Sequence, residues 1–151
     1  RNLMCLSNGE LGVIDFQDAV VGPITYDIVS LLRDCYVKWP VAQVDSLFSS
    51  FCRLITKQLS LPAYSQTQWQ RWFDLMGLQR HIKASGIFAR LFHRDNKAGY
   101  IKDIPLTLSY IIDISKKYPE LQFLHQLVKE QVLPALAAKG QVMEQSQKVN
   151  K

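Results

Sequence analysis

The dipeptide Asn8-Gly9 constrains the chain most strongly. It lies between two apolar tetrads, Leu3-Met4-Cys5-Leu6 and Leu11-Gly12-Val13-Ile14, with Ser7 and Glu10 beside it. Asn-Gly between apolar runs is the strongest short hairpin signal, because a type I′ turn needs φ > 0 at both central residues. Apolar residues on both faces predict that this hairpin is buried. A two-residue turn pairs Ser7 with Glu10, Leu6 with Leu11, Met4 with Val13 and Asn2 with Asp15. Directly opposite residues share a face, so an amide and a carboxylate converge at the open end. Mg²⁺ takes hard oxygen ligands, typically one or two carboxylates plus phosphates and water. Asn2 beside Asp15 suits it. The same two residues would equally serve as plain strand caps, and a bulge would break the pairing.

Everything after the hairpin reads helical. Gly22-Pro23 punctuates a loop, and a helix follows from Thr25 to about Lys38, with Asp27 in its first turn where the dipole favours an anion. Trp39-Pro40 ends it. A second helix runs from about Val41 to Leu59, with Val44, Leu47, Phe48, Phe51, Leu54 and Ile55 on one stripe. Leu61-Pro62 breaks it. A third, from near Thr67 toward His93, carries Trp69, Trp72, Phe73, Met76, Ile87 and Leu91, and its Gly77 and Gly86 mark close packing or a kink. A fourth spans about Ile104 to Lys117, capped by Asp103 with Pro105 in its first turn. Tyr118-Pro119 separates it from a fifth, about Glu120 to Lys139, which Pro134 should kink or divide. The Gln/Lys-rich tail, residues 140–151, has little to bury and is expected to be flexible. The fold class is therefore mainly α with one short N-terminal β-hairpin, a single domain over residues 1–139.

Composition narrows the function. With 151 residues, 48% hydrophobic and 21% charged, the chain can bury a core without disulfides or metal. No apolar run reaches the length of a membrane span. A net charge of +5 favours anionic partners, yet no basic block appears, which leans against nucleic acid. Cys5, Cys35 and Cys52 lie in apolar surroundings and read as buried thiols in a reducing, cytoplasmic setting. They have no nearby base and are poor nucleophile candidates. The chain opens on Arg1-Asn2-Leu3-Met4 without an initiator Met or a signal peptide, as expected of a piece of a longer protein.

Arg1-Asn2-Leu3-Met4, the hairpin, Val13-Ile14-Asp15-Phe16-Gln17-Asp18-Ala19, Gly22-Pro23 and Tyr26-Asp27-Ile28 together resemble the C-terminal lobe of aminoglycoside-phosphotransferase-like kinases. These are protein-kinase-like enzymes that phosphorylate small molecules. Their catalytic loop, H-x-D-x-x-x-x-N, precedes a hairpin and an I-D-F/W segment standing where protein kinases have D-F-G. The resemblance implies that Asn2 and Asp15 bind Mg²⁺ and, through it, ATP or another nucleoside triphosphate. It gives Asp27 a structural role, tying down the catalytic loop. The catalytic Asp is implied upstream of Arg1, as is the nucleotide-clamping lobe, so the fragment alone is expected to be inactive. Asp18-Ala19, Arg33-Asp34-Cys35-Tyr36, Trp39-Pro40, Gly77-Leu78-Gln79-Arg80-His81 and Gly86-Ile87-Phe88-Ala89-Arg90-Leu91 are similar to the branch of bacterial anomeric kinases for N-acetylmuramate and N-acetylglucosamine, which act in cell-wall recycling. An amino sugar acceptor, the missing lobe of the same chain and a cytoplasmic location follow as implications of that resemblance.

Other readings stay open. Aminoglycoside or amino-alcohol phosphorylation is the alternative within the enzyme class, and a non-catalytic helical module that binds a partner is the alternative outside it. Asp18 is either an acceptor contact or a loop cap. Arg33 either holds an oxyanion of the substrate or pairs internally with an Asp. Arg80 and His81, with Gln79 and Lys83, form either an acceptor-site edge or a solvated face. Tyr36 and Trp39 serve as core or as a wall for a sugar ring. His93-Arg94-Asp95 spells the protein-kinase triplet, but Tyr100 stands where its Asn is needed, so it reads as a helix terminus.

Overall fold

The computed structural model describes residues 3–15 and 20–139. Asn2, Asp18 and the 140–151 tail lie outside these, and so do the expectations attached to them. Two antiparallel strands, β1 (Leu3–Cys5) and β2 (Leu11–Val13), form the hairpin, with Leu3 opposite Val13, Met4 opposite Gly12 and Cys5 opposite Leu11. This register is one residue off the sequence expectation. Leu6 N–H donates to Glu10 O at 2.8 Å and Gly9 N–H to Leu6 O at 3.0 Å. The loop thus has three residues, Ser7-Asn8-Gly9, and Gly9 alone is left-handed among them, at φ 81°. That is a type I turn followed by a glycine bulge, which needs one positive φ where a type I′ turn needs two. The Asn8 side-chain carbonyl accepts Glu10 N–H at 3.0 Å and stabilises this form.

The hairpin is also exposed, against expectation. Met4 keeps 51% of its surface and Leu11 64%. The strands' substantial packing is with each other, with no described helix laid across either face. Cys5 is accordingly exposed and Cys35 half-buried; Cys52 alone of the three is buried as read.

The α-helices that follow among the described residues include α1 (Tyr26–Leu32), α2 (Val41–Gln58), α3 (Gln66–His93), α4 (Ile104–Ser115) and α5 (Gln122–Leu127). Helix α1 stops a full turn before Lys38. Arg33 turns out of the helix at φ −124°, ψ 60°, and Asp34 Oδ1 accepts Tyr36 N–H at 3.4 Å in a local turn. Helix α3 begins where Ser65 Oγ accepts Gln68 N–H at 3.1 Å. Asp103 makes no side-chain cap on α4, because a 3₁₀ segment, Ala98–Asp103, winds into the helix and leaves Asp103 right-handed. Near Pro134 the last helix changes form. A π-helical turn over Val128–Val132 joins α5 to the helix 133–139. Pro134 has no N–H and its ring crowds the carbonyl four residues back, so the widened turn relieves both.

Helix α3 is the spine. Its first half packs Trp69 and Phe73 with Val29 and Leu32 of α1 and Phe48 and Cys52 of α2. The Phe48 and Phe73 rings stack at 4.1 Å. Its second half packs Leu78 and Phe88 with Ile104, Leu108, Ile111 and Ile114 of α4 and with Val128. Leu47, Leu54 and Ile87, read on apolar stripes, are exposed. No described helix is long and apolar enough to cross a membrane.

Candidate active site

Asp15 is the second residue past β2, after Ile14. Its carboxylate is exposed and its backbone is left-handed at φ 62°, a conformation that Asp tolerates better than most residues. The three-residue loop shifts each described pair by one, so Leu3 and not Met4 stands opposite Val13; the expected Asn2–Asp15 pair involves Asn2, outside the described residues. A hard carboxylate at the end of a β-strand remains the kind of donor Mg²⁺ takes alongside phosphate oxygens. Among the described residues, no group of three or more His, Cys, Asp or Glu side chains comes together as a metal cage.

The start of α1 meets the middle of α3. Thr25, fully buried, donates its hydroxyl to Trp72 O at 3.3 Å. Asp27 sits exposed in the first turn of α1, as expected. Beside this junction opens a cleft of about 460 Å³ lined by Pro23, Ile24, Thr25, Trp72, Met76 and Gln79. Its walls are apolar and Gln79 adds an amide. Next to Gln79, the Arg80 guanidinium lies over the Tyr26 ring, 4.6 Å from its centroid.

Arg33 and His81 do not join this edge. Arg33 is committed inside the fold: its Nη2 donates to Asp74 Oδ1 at 2.5 Å and its Nη1 to Phe73 O at 3.4 Å. Of the two readings of Arg33 the internal pair holds, with Asp74 in place of Asp34. The Asp74 carboxylate also accepts from Gln70 Nε2 at 3.0 Å, Lys117 Nζ at 3.2 Å and Tyr118 OH at 3.0 Å. Burial alone would raise its pKa, but Arg33 and the other donors hold it below the ordinary carboxylate value. Burial and the Asp74 charge in turn push Tyr118 up to about 12.

His81 is 0% exposed and stacks on Tyr110 at 4.4 Å. Neither of its ring nitrogens makes a hydrogen bond among the described residues. Burial first, then the Arg33 and Arg80 charges, hold its pKa down to about 4. His81 thus faces α4 and not the cleft. One residue turns a helix by 100°, so the sequence neighbours Gln79, Arg80 and His81 cannot share a direction.

Tyr36 and Trp39 are exposed, not core. Burial raises the thiol pKa of Cys35 and Cys52, consistent with inert cysteines. His93 closes α3, and Arg94 Nε pairs with Asp95 Oδ1 at 2.6 Å, as a helix terminus should. Sequence reasoning missed Asp74 and the cleft. The available signal for Asp74 was a carboxylate set into the apolar stripe Trp69, Trp72, Phe73, Met76, since a buried acid requires a cation. The cleft joins segments too distant in sequence for any pattern to link.

Residues 1–67 match the model of the phosphotransferase enzyme family. The chain is 45% identical, over 133 residues, to a Neisseria meningitidis serogroup B protein named N-acetylmuramate/N-acetylglucosamine kinase, an alignment covering 87% of this chain and 39% of the relative. Proteins of the same name from Pseudomonas putida and Pseudomonas aeruginosa are each 43% identical over 86% and 85% of the chain, and 38% of their own length. The chain thus spans about two-fifths of the length of these curated relatives. No solved structure matches it. From the hairpin through the helices, the chain resembles the aminoglycoside-phosphotransferase-like kinases, and within them the N-acetylmuramate/N-acetylglucosamine kinases.

Proposed function

We propose that this chain is the C-terminal lobe of an ATP- and Mg²⁺-dependent, cytoplasmic small-molecule kinase. Its acceptor is a hydroxyl of an amino sugar of the N-acetylmuramate or N-acetylglucosamine type. One observation carries the reading: similarity of 43–45% identity along 85–87% of the chain to relatives sharing that one name. The order of hairpin, Asp15 and Asp27-bearing helix supports it.

Asp15 would hold the metal, with Asn2 as its companion ligand. Mg²⁺, when bound, supplies charge neutralisation for the transferring phosphates. Asp15 contributes a carboxylate at the end of β2, and Asp27 holds the chain entering α1. The apolar cleft at the α1–α3 junction would receive the acceptor, its walls excluding water and its polar edge orienting the sugar. The catalytic Asp lies, on this reading, before Arg1.

The test is Asp15→Asn in the full-length protein. Turnover should fall by at least about a hundredfold, the scale on which charge stabilisation acts in such sites, with unfolding temperature unchanged. Near-normal turnover would overturn the metal assignment.

A further inference from the structure

We infer that the α1–α3 cleft reads the N-acetyl group of the acceptor sugar: the Gln79 side chain donates to the acetyl oxygen, and the apolar wall beside it takes the acetyl methyl. The inference rests on the amino-sugar kinase reading. It adds the group that the cleft recognises and the residue that recognises it.

Four residues of α3 line the cleft: Trp72, Leu75, Met76 and Gln79. Steps of three and four residues put them on one stripe of the helix, with Gln79 at its end. Pro23, Ile24 and Thr25 line it from the segment leading into α1. Trp72 is a fixed part of this wall. The Tyr64 and Trp69 rings meet it nearly edge-on, with centroids 4.7 Å and 5.3 Å away, and the Thr25 hydroxyl donates to its backbone carbonyl at 3.3 Å. A wall held in this way is preorganised and gives up little freedom when an apolar group settles on it.

No side chain lining the cleft is charged. It therefore offers no counter-charge to a cationic acceptor and suits a neutral group. The Thr25 hydroxyl is already spent on Trp72. The Gln79 carboxamide makes no hydrogen bond among the described residues, and it stays exposed while lining the cleft, so it stands at the mouth. Its NH₂ is a donor without a partner next to an apolar surface. An acetamide answers both features. Its oxygen and its methyl sit on the same carbonyl carbon, so the oxygen can accept from Gln79 while the methyl rests on the wall. A hydroxyl in the same place on the ring has no methyl to offer. The two sugars in the relatives' name have this acetamide in common.

The test is steady-state kinetics of the full-length protein, unaltered and as Gln79→Leu and Gln79→Glu. The acceptors are N-acetylglucosamine and glucose, which carries a hydroxyl where the other carries the acetamide. The unaltered protein should prefer N-acetylglucosamine. With Gln79→Leu, kcat/KM on N-acetylglucosamine should fall about 3- to 12-fold, the net worth of one neutral hydrogen bond, with KM for ATP unchanged and glucose affected less than about twofold. Gln79→Glu keeps the shape and replaces the donor by an acceptor. It should lose at least as much, which a role in packing alone would not produce, and it serves if the Leu variant does not fold. Titration with each sugar in the absence of nucleotide should give the same order. Equal losses on both sugars would overturn the inference. So would no loss on either, the result for a cleft filled by another part of the full-length chain. In both cases turnover of N-acetylglucosamine by the unaltered protein would leave the amino-sugar reading standing. Turnover of neither N-acetylglucosamine nor N-acetylmuramate would overturn that reading, and the role of Gln79 with it.

Discussion

Asp74 and His81 are both fully buried on α3, and their polar atoms fare oppositely. Asp74 is saturated by Arg33, Gln70, Lys117 and Tyr118, so it ties α1 and the end of α4 to the spine. Asp74→Ala would leave the Arg33 guanidinium buried without its counter-charge. A loss of about 3–5 kcal/mol is expected, as for other broken buried pairs, measured as a shift in the denaturant midpoint. A loss below about 1 kcal/mol would show that the network acts as a surface one. The His81 ring instead makes no hydrogen bond among the described residues and stacks on Tyr110 under the charges of Arg33 and Arg80. Its folded pKa of about 4 lies below the ordinary 6.5, so the unfolded chain binds the extra proton first. Its contribution is complete above pH 6.5 and is lost as pH falls toward 4. His81→Phe, which keeps the ring stack, should flatten the stability profile in that window and cost little above it. An unchanged slope would contradict this. Sequence reasoning singled out His81 and missed Asp74, and both roles depend on partners distant in sequence: Arg33 just past the end of α1 for Asp74, and Tyr110 of α4 for His81.

At the scale of elements, helix ends followed local chemistry and the hairpin register did not. Ser65 and Pro40 mark the starts of α3 and α2 by capping and by breaking, and Pro134 marks the π-helical turn that it forces. Asn8-Gly9 is compatible with loops of two or three residues, and which one forms was decided by the Asn8 bond to Glu10 N–H. That one-residue difference shifted the pairing of Leu3, Met4 and Cys5 while leaving the hairpin itself correct. Gly77 shows an element constrained from outside. A Cβ there would come within 2.9 Å of Arg33 Nη1. The end of an Arg side chain usually yields, but this one is held by Asp74. Gly77→Ala gains about 1 kcal/mol of helix propensity and costs about 1–3 kcal/mol in overpacking. A net loss of up to about 2 kcal/mol is expected. In an Arg33→Met background the same change should become neutral or stabilising. Identical effects in both backgrounds would mean that Gly77 does not serve Arg33.

At the scale of the whole molecule, α3 joins a half that packs α1 and α2 to a half that packs α4 and the π-helical turn. The cleft and Arg80 lie where α1 enters that spine. The resemblance to phosphotransferases was legible because its motifs are contiguous, from Arg1 to Ile28. The polar run Gln79, Arg80 and His81 was only half legible, because neighbours on one helix spread around its circumference: Arg80 lies over the Tyr26 ring, whereas His81 turned inward. The most direct measurement is ADP release by the full-length protein with N-acetylmuramate, N-acetylglucosamine, an aminoglycoside or choline, each with and without Mg²⁺. The account predicts Mg²⁺-dependent turnover on the two N-acetylated sugars and none on the cationic acceptors. Turnover confined to the aminoglycoside or choline, or no turnover on any of the four, would contradict it.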